Sequence, residues 1–288
     1  MTAPAISFEF FPPKTLEASF RLWDCINVLA PLAPQFVSVT YGAGGTTRGL
    51  TQEAVATIHG RTGLTVAGHL TCVDASREET LAVAQGYAQA GVTEIVALRG
   101  DPPKGSAGFT PHPDGFASSV ELIEALAATG KFGIRVGAYP EAHPEAASAQ
   151  ADVEYLKRKI DAGAGSAITQ FFFEAETFFR FRDACVKAGI DAPIIPGILP
   201  IENWKGVQKF AAACGTAIPQ VLRDGFERAT AEGEADLLAT AVATELCDEL
   251  VEGGAEHLHF YTLNRPELTR DVCHALGITS ERQLREVA

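Results

Sequence analysis

The chain has 288 residues, 47% hydrophobic and 20% charged, which excludes disordered and collagen-like classes and suffices for a large core without disulfides or metals. Its 23 Lys+Arg against 36 Asp+Glu leave a formal net charge of −13, which repels phosphate backbones and anionic lipid, so nucleic acid and membrane are excluded as expected partners. An anionic ligand would need basic residues gathered locally.

The opening stretch, MTAPAISFEFFPPK, lacks the basic segment and apolar run of a secretory signal. No later run reaches the ~20 apolar residues that a membrane helix needs, so a cytoplasmic protein is expected. The first strand is AISFEFF (5–11), followed by FVSVTYG (36–42), TVAGHLTC (65–72) and EIVALRG (94–100). RVGAYP (135–140), SAITQFFF (166–173), APIIPGILP (192–200) and HLHFYTL (257–263) complete the set. Between them run helical patterns such as Val153, Leu156 and Ile160, several closed by a glycine (Gly91, Gly130, Gly163, Gly189, Gly277). Segment 203–255 is long enough for at least two helices. The cysteines at 25, 72, 185, 214, 247 and 273 lack metal-finger or CxxC spacing and read as buried thiols.

Eight strand–helix units predict a single (β/α)8 TIM-type barrel over residues 1–288, with extra helices before the last strand. A doubly wound sheet is the alternative. It needs a glycine-rich turn after the first strand, where this chain has Pro12-Pro13-Lys14, and the stretch Gly42–Thr47 lacks the last glycine of that fingerprint.

Barrel enzymes place their chemistry at the C-terminal ends of strands. The residues there are Glu9, Thr40 with Tyr41, His69, Arg99 with Asp101, Tyr139, Gln170, Pro200, and Tyr261 with Arg265. Alternation puts Ile6, Phe8 and Phe10 on one face and Ser7 with Glu9 on the other, so Glu9 points into the mouth. Walled by apolar neighbours, its carboxyl is expected to have a raised pKa and to serve as a general acid; a structural salt bridge to Arg or Lys is the alternative. Asp101 opens the Pro- and Gly-rich loop 101–117, long enough for a lid. Glu9 and Asp101 also leave a glycosidase-like carboxylate pair open.

Asp152, Tyr155 and Lys159 form one stripe of a helix, with Arg158 beside it, suited to a ribose, a ring and a phosphate or else to a solvated face. His257 and His259 share a strand face but start the last strand, which assigns them to the barrel's stability end. His69, His143 and Asp101 make at best a weak metal set, and no metal is expected. Neither a P-loop nor a GxSxG elbow is present.

Ser7–Pro13 (SFEFFPP), Phe36–Ala43 (FVSVTYGA), His69–Cys72 (HLTC) and Ala97–Asp101 (ALRGD) resemble the bacterial 5,10-methylenetetrahydrofolate reductases. So do Ala138–Glu145 (AYPEAHPE), Ala167–Phe173 (AITQFFF) and Phe260–Arg265 (FYTLNR). The resemblance implies a (β/α)8 flavoenzyme in which FAD takes hydride from NADH or NADPH and, in a ping-pong cycle, passes it to methylenetetrahydrofolate, supplying methyl groups for methionine synthesis. It implies Glu9 as the acid that protonates the folate N10, and Asp101 as the carboxylate that tunes the flavin and steadies the cationic intermediate. Thr40, Tyr41, Ala43, His69, Arg99, Gly100, Asp101, Ala117, Tyr139, His143, Asp152, Tyr155, Arg158 and Lys159 fall on flavin-site positions. Glu9, Gln170, Phe210, Tyr261 and Arg265 fall on substrate positions. A homo-oligomer is implied as well. Against this stand a barrel lyase or hydrolase that uses Glu9 and Asp101 as acid and base, and a non-catalytic folate or flavin binder.

Overall fold

The computed structural model describes residues 3–42, 47–101 and 108–279. Its strands are β1 Ala5–Phe10, β2 Phe36–Val39, β3 Val66–Thr71, β4 Glu94–Leu98, β5 Gly133–Ala138, β6 Ser166–Thr169, β7 Ile194–Ile195, β8 Gly197–Ile198 and β9 His257–Tyr261. All pairings are parallel, in the order β7-β6-β5-β4-β3-β2-β1-β9-β8. The described chain is thus a TIM-type barrel, as expected, with one correction. The single strand expected over 192–200 is two short pieces. Pro196 between them has no N–H to give a ladder. β7 pairs with β6 and β8 pairs with β9, so the two halves of one stretch close the ring.

Gly197 makes that closure possible. A Cβ there would lie 2.1 Å from the Thr169 carbonyl oxygen and 2.6 Å from the Tyr261 ring. Its N–H donates to Thr169 Oγ1 at 2.9 Å instead of to a strand partner.

The helices are α1 Leu16–Leu29, α2 Arg48–Thr62, α3 Arg77–Gln89, α4 Ser119–Ala127, α5 Ala149–Asp161, α6 Ala175–Lys187, α7 Trp204–Cys214, α8 Gln220–Glu232, α9 Ala235–Glu252 and α10 Glu267–Ala275. Segment 203–255 therefore holds three helices. Thr15, Ser76, Ser118, Ser148 and Asn203 start five of the helices by accepting a hydrogen bond from a first-turn backbone N–H. The five glycines expected past helix ends all have positive φ. All six cysteines are free thiols, five of them buried and Cys214 partly exposed.

Ile6, Phe8 and Phe10 pack outward against the helical layer with Leu22, Cys25 and Ile26 of α1. Phe8 and Phe10 are buried, each worth ~2 kcal/mol of transfer free energy. A smaller cluster, Phe36, Ala67, Val96, Ile168 and Ile195, fills the barrel's interior. Ser7 and Glu9 share that interior with it.

Candidate active site

Register sets the heights inside the barrel. Ser7 faces His259 across the β1–β9 ladder, and Glu9 faces Tyr261 one pleat nearer the mouth. Thr262 Oγ donates to the Glu9 carbonyl at 2.7 Å, pinning the end of β1 to the end of β9. The Glu9 side chain then meets two imidazoles. His69 Nε2 on β3 is 3.3 Å from Glu9 Oε2, and His259 Nε2 is 3.9 Å from the same oxygen.

This overturns the expected sense of the Glu9 pKa. Burial pushes the carboxyl up, but the His259 and His69 rings outweigh it and hold the group at about 2. The partners are imidazoles, not the Arg or Lys of a salt bridge. In this state Glu9 is a carboxylate at neutral pH.

His259 is the residue that the sequence reading misplaced. The sequence reading assigns it, with His257 on the same strand face, to the stability end. It is fully buried beside Glu9, its Nδ1 2.7 Å from Ser7 Oγ, its ring stacked on Phe36 at 5.6 Å and edge-on to Tyr261 at 5.3 Å. His257 does sit at the N-terminal end, but it too reaches Ser7 Oγ, at 2.9 Å. The Tyr261 hydroxyl donates to the Thr169 carbonyl at 2.6 Å, and Tyr87 donates to the His69 carbonyl at 3.0 Å. Of the two neighbours of Glu9, His69 is thus braced from helix α3 and Tyr261 from strand β6.

The stripe on α5 is not a solvated face. Asp152 accepts the His143 backbone N–H at 2.8 Å, Tyr155 pairs with Ser119 Oγ at 2.9 Å, and Lys159 Nζ donates to the Gly137 carbonyl at 2.9 Å. Burial brings the Lys159 ammonium down to about 8. Arg158 lies over the Tyr155 ring at 4.7 Å. The loop after β5 is folded beside this stripe, with Tyr139 edge-on to His143 at 4.7 Å. Burial pushes Tyr139 up to about 12, with Asp101 and Asp152 adding to the effect, and burial lowers His143. Arg99 bridges Glu145 at 2.6 Å and covers Phe109 at 4.9 Å.

Other expected positions line the same rim. The Thr40 N–H donates to the Phe10 carbonyl at 2.9 Å, and the Tyr41 hydroxyl accepts from Arg48 at 2.9 Å. Gly100 has a φ of +88°, and its backbone packs against Val73 and Thr71 where a Cβ would collide. Asp101 is exposed, in contrast to Glu9, and Ala117 donates its N–H to Glu121 at 3.3 Å. Ala43 and residues 102–107 of the expected lid lie outside the described residues. Gln170 Oε1 accepts the Phe171 N–H at 3.1 Å, and Phe210 on α7 stacks on Phe171 at 5.1 Å while 41% exposed. Arg265 lies 3.5 Å from Glu202, a second residue that sequence reading missed; burial raises the Glu202 carboxyl to about 7.

Residues 2–277 match the family model described as methylenetetrahydrofolate reductase. A 5,10-methylenetetrahydrofolate reductase of Pectobacterium carotovorum subsp. carotovorum is 47% identical over 95% of this chain and 90% of its own length. That of Escherichia coli (strain K12) is 48% identical with the same coverage. Among solved structures, a Clostridium thermocellum protein that binds two copies of 5-methyl-5,6,7,8-tetrahydrofolic acid superposes over 96% of this chain and 95% of its own with a TM-score of 0.59; at 14% identity the likeness is one of fold alone. With a parallel barrel, a partly buried glutamate at its mouth and this degree of identity over almost its whole length, the chain belongs to the methylenetetrahydrofolate reductase family.

Proposed function

We propose that the chain reduces 5,10-methylenetetrahydrofolate to 5-methyltetrahydrofolate with hydride from NADH or NADPH by way of FAD, the two substrates taking turns at one site. Methyl groups for methionine synthesis would be its product in the cell, and a cytoplasmic homo-oligomer its setting. No helix of the described residues is long and apolar enough to cross a membrane. The exposed Leu16 and Phe20 of α1 suit self-association.

The observation that carries the reading is the partly buried Glu9 carboxylate between two imidazoles inside the mouth. The residues present fit FAD. Lys159 is a buried ammonium that spends one of its three N–H donors, on Gly137, and Arg158 and Arg99 add positive charge nearby. A pyrophosphate on a chain of net charge −13 needs this local set. Bound there, FAD supplies two-electron hydride chemistry that no side chain offers.

The chain's own part is proton and charge control. Glu9 gives a proton to N10 of the folate, which opens the five-membered ring and leaves an iminium carbon able to accept hydride. To do so it must be protonated in the complex. Ring systems filling the mouth displace water from Glu9 and add to the burial that already favours its neutral form. Asp101, at the rim, holds a negative charge toward the cation that forms.

The test is spectroscopic. The purified protein should be yellow, NADH should bleach it without oxygen, and methylenetetrahydrofolate should restore the colour. A folded, colourless protein that takes up no FAD on reconstitution would overturn the reading.

A further inference from the structure

Ser7 Oγ contacts both His259 Nδ1, at 2.7 Å, and His257 Nε2, at 2.9 Å, yet it owns one proton. Two bonding senses satisfy all three groups. In the first, His257 Nε2–H donates to Ser7, Ser7 donates to His259 Nδ1, and His259 turns an Nε2–H toward Glu9. In the second every bond is reversed: His259 Nδ1–H donates to Ser7, Ser7 donates to His257 Nε2, and His259 offers a bare Nε2. The first sense suits an ionised Glu9. The second repels a carboxylate and suits a protonated one, whose O–H has an acceptor once Glu9 closes the 3.9 Å gap by about 1 Å.

We propose that His257 is a positioning residue for the acid chemistry of Glu9: as the acceptor at the barrel's N-terminal face, it lets the Ser7–His259 column reverse and so admits the protonated form. This rests on the reading of Glu9 as the acid. One proton added at His257 Nδ1, with each link passing its proton one step toward the mouth, converts the first sense into the second. Both rings end neutral and the carboxylate becomes a carboxyl, so the charge balances.

The surroundings support an exchange of tautomers. Beside Glu9 stand His69 and Tyr261; beside His257 stands Arg135, paired with Glu94 at 3.0 Å and lying over Phe36 at 4.1 Å. The Phe36 ring packs against both histidines. Burial, His259 and Arg135 hold His257 down at about 3, and burial lowers His259, so neither ring rests as a cation. His257 is itself partly exposed, which opens the column to solvent at that end.

Two measurements decide the matter. In protein labelled with 15N-histidine at neutral pH, His257 and His259 should both carry their proton on Nε2; a proton on His257 Nδ1 would overturn the proposal without reference to folate or flavin. In kinetics, His257→Leu should slow folate-dependent flavin reoxidation about tenfold at neutral pH and move its pH profile about one unit toward acid. His257→Gln, which keeps both a donor and an acceptor, should follow the parent, and Ser7→Ala should move the profile as His257→Leu does. NADH-dependent bleaching should change in none of them. An unmoved profile in His257→Leu, or equal impairment in His257→Gln, would sink the idea. Should the parent never reduce the folate, the functional reading falls and the tautomers still decide.

Discussion

His259 lies one pleat below Glu9, facing Ser7 rather than Glu9 across the ladder, and reaches its carboxylate at 3.9 Å from beneath. The acid of the proposed reaction is therefore held from inside the barrel, while substrate would come from above. The first expectation concerns that acid. Glu9→Gln should keep flavin binding and NADH-dependent bleaching but lose folate-dependent reoxidation by ~10²–10⁴-fold, the span for a general acid. Stopped-flow spectroscopy of each half-reaction separates the two. Equal loss in both halves would make Glu9 structural.

The same residue gives a stability signature. Its folded pKa, about 2, is below the ordinary 4.5, so the folded form prefers the ionised state. Stability from this group is complete above pH 4.5 and drains away as pH falls toward about 2. Chemical denaturation across that window should show the parent losing more stability than Glu9→Gln. The reverse order would mean that the imidazoles do not hold the carboxylate.

Lys159 sets function against stability. Burial lowers its pKa from 10.5 to about 8, so the folded chain carries a penalty for the charged form, complete below pH 8 and relieved as pH rises toward 10.5. Lys159→Met should remove that penalty, leaving the Gly137 carbonyl without its donor. FAD affinity should fall at least about tenfold, ~1.4 kcal/mol, by fluorescence titration. Unchanged affinity would remove Lys159 from the cofactor site.

Barrel closure at Gly197 should tolerate no side chain. Gly197→Ala, with its Cβ 2.1 Å from a carbonyl oxygen, should cost about 3 kcal/mol or prevent folding. Gly60→Ala, inside α2 with nothing within 4 Å, should stabilise by ~0.5–1 kcal/mol. Denaturant midpoints of the two variants moving in the same direction would contradict this packing.

How much of this was legible in the chain follows from the kind of information each feature needs. Period-two alternation in Ile6–Phe10 was enough to aim Ser7 and Glu9 inward, because one face is aromatic and must meet helices. Height was not legible. The pairing of Ser7 with His259 is a register between strands far apart in the chain, so His259 is assigned to the stability end although it lies just beneath Glu9. The Glu9 pKa was misread for the same reason, since burial is visible from local apolarity but the two imidazoles arrive from β3 and β9. At Pro196-Gly197 the missing ladder N–H was legible in the proline itself, but that the two halves pair with different strands, β6 and β9, shows only once those neighbours are in place. Glu202 gave no sign in the sequence, since its raised pKa comes from burial, with Glu267 and Asp236 adding to it, and both depend on how distant segments pack.

Glu202 also gives the rim a pH response near neutrality. Burial raises its carboxyl to about 7, with Glu267 and Asp236 pushing the same way and Arg265 opposing. Above that pH the carboxylate occupies Arg265 at 3.5 Å; below it the carboxyl is neutral and the guanidinium is released toward solvent, where it is largely exposed. A substrate carboxylate would then meet a freer partner, so the KM for the folate should fall as pH drops through 7, while the KM for NADH stays level. Glu202→Gln should flatten that dependence at the low-pH value, and Arg265→Ala should flatten it at the high-pH value. A folate KM in the parent that does not change between pH 6 and 8, roughly one unit either side of that midpoint, would show that Arg265 does not bind the substrate through this equilibrium.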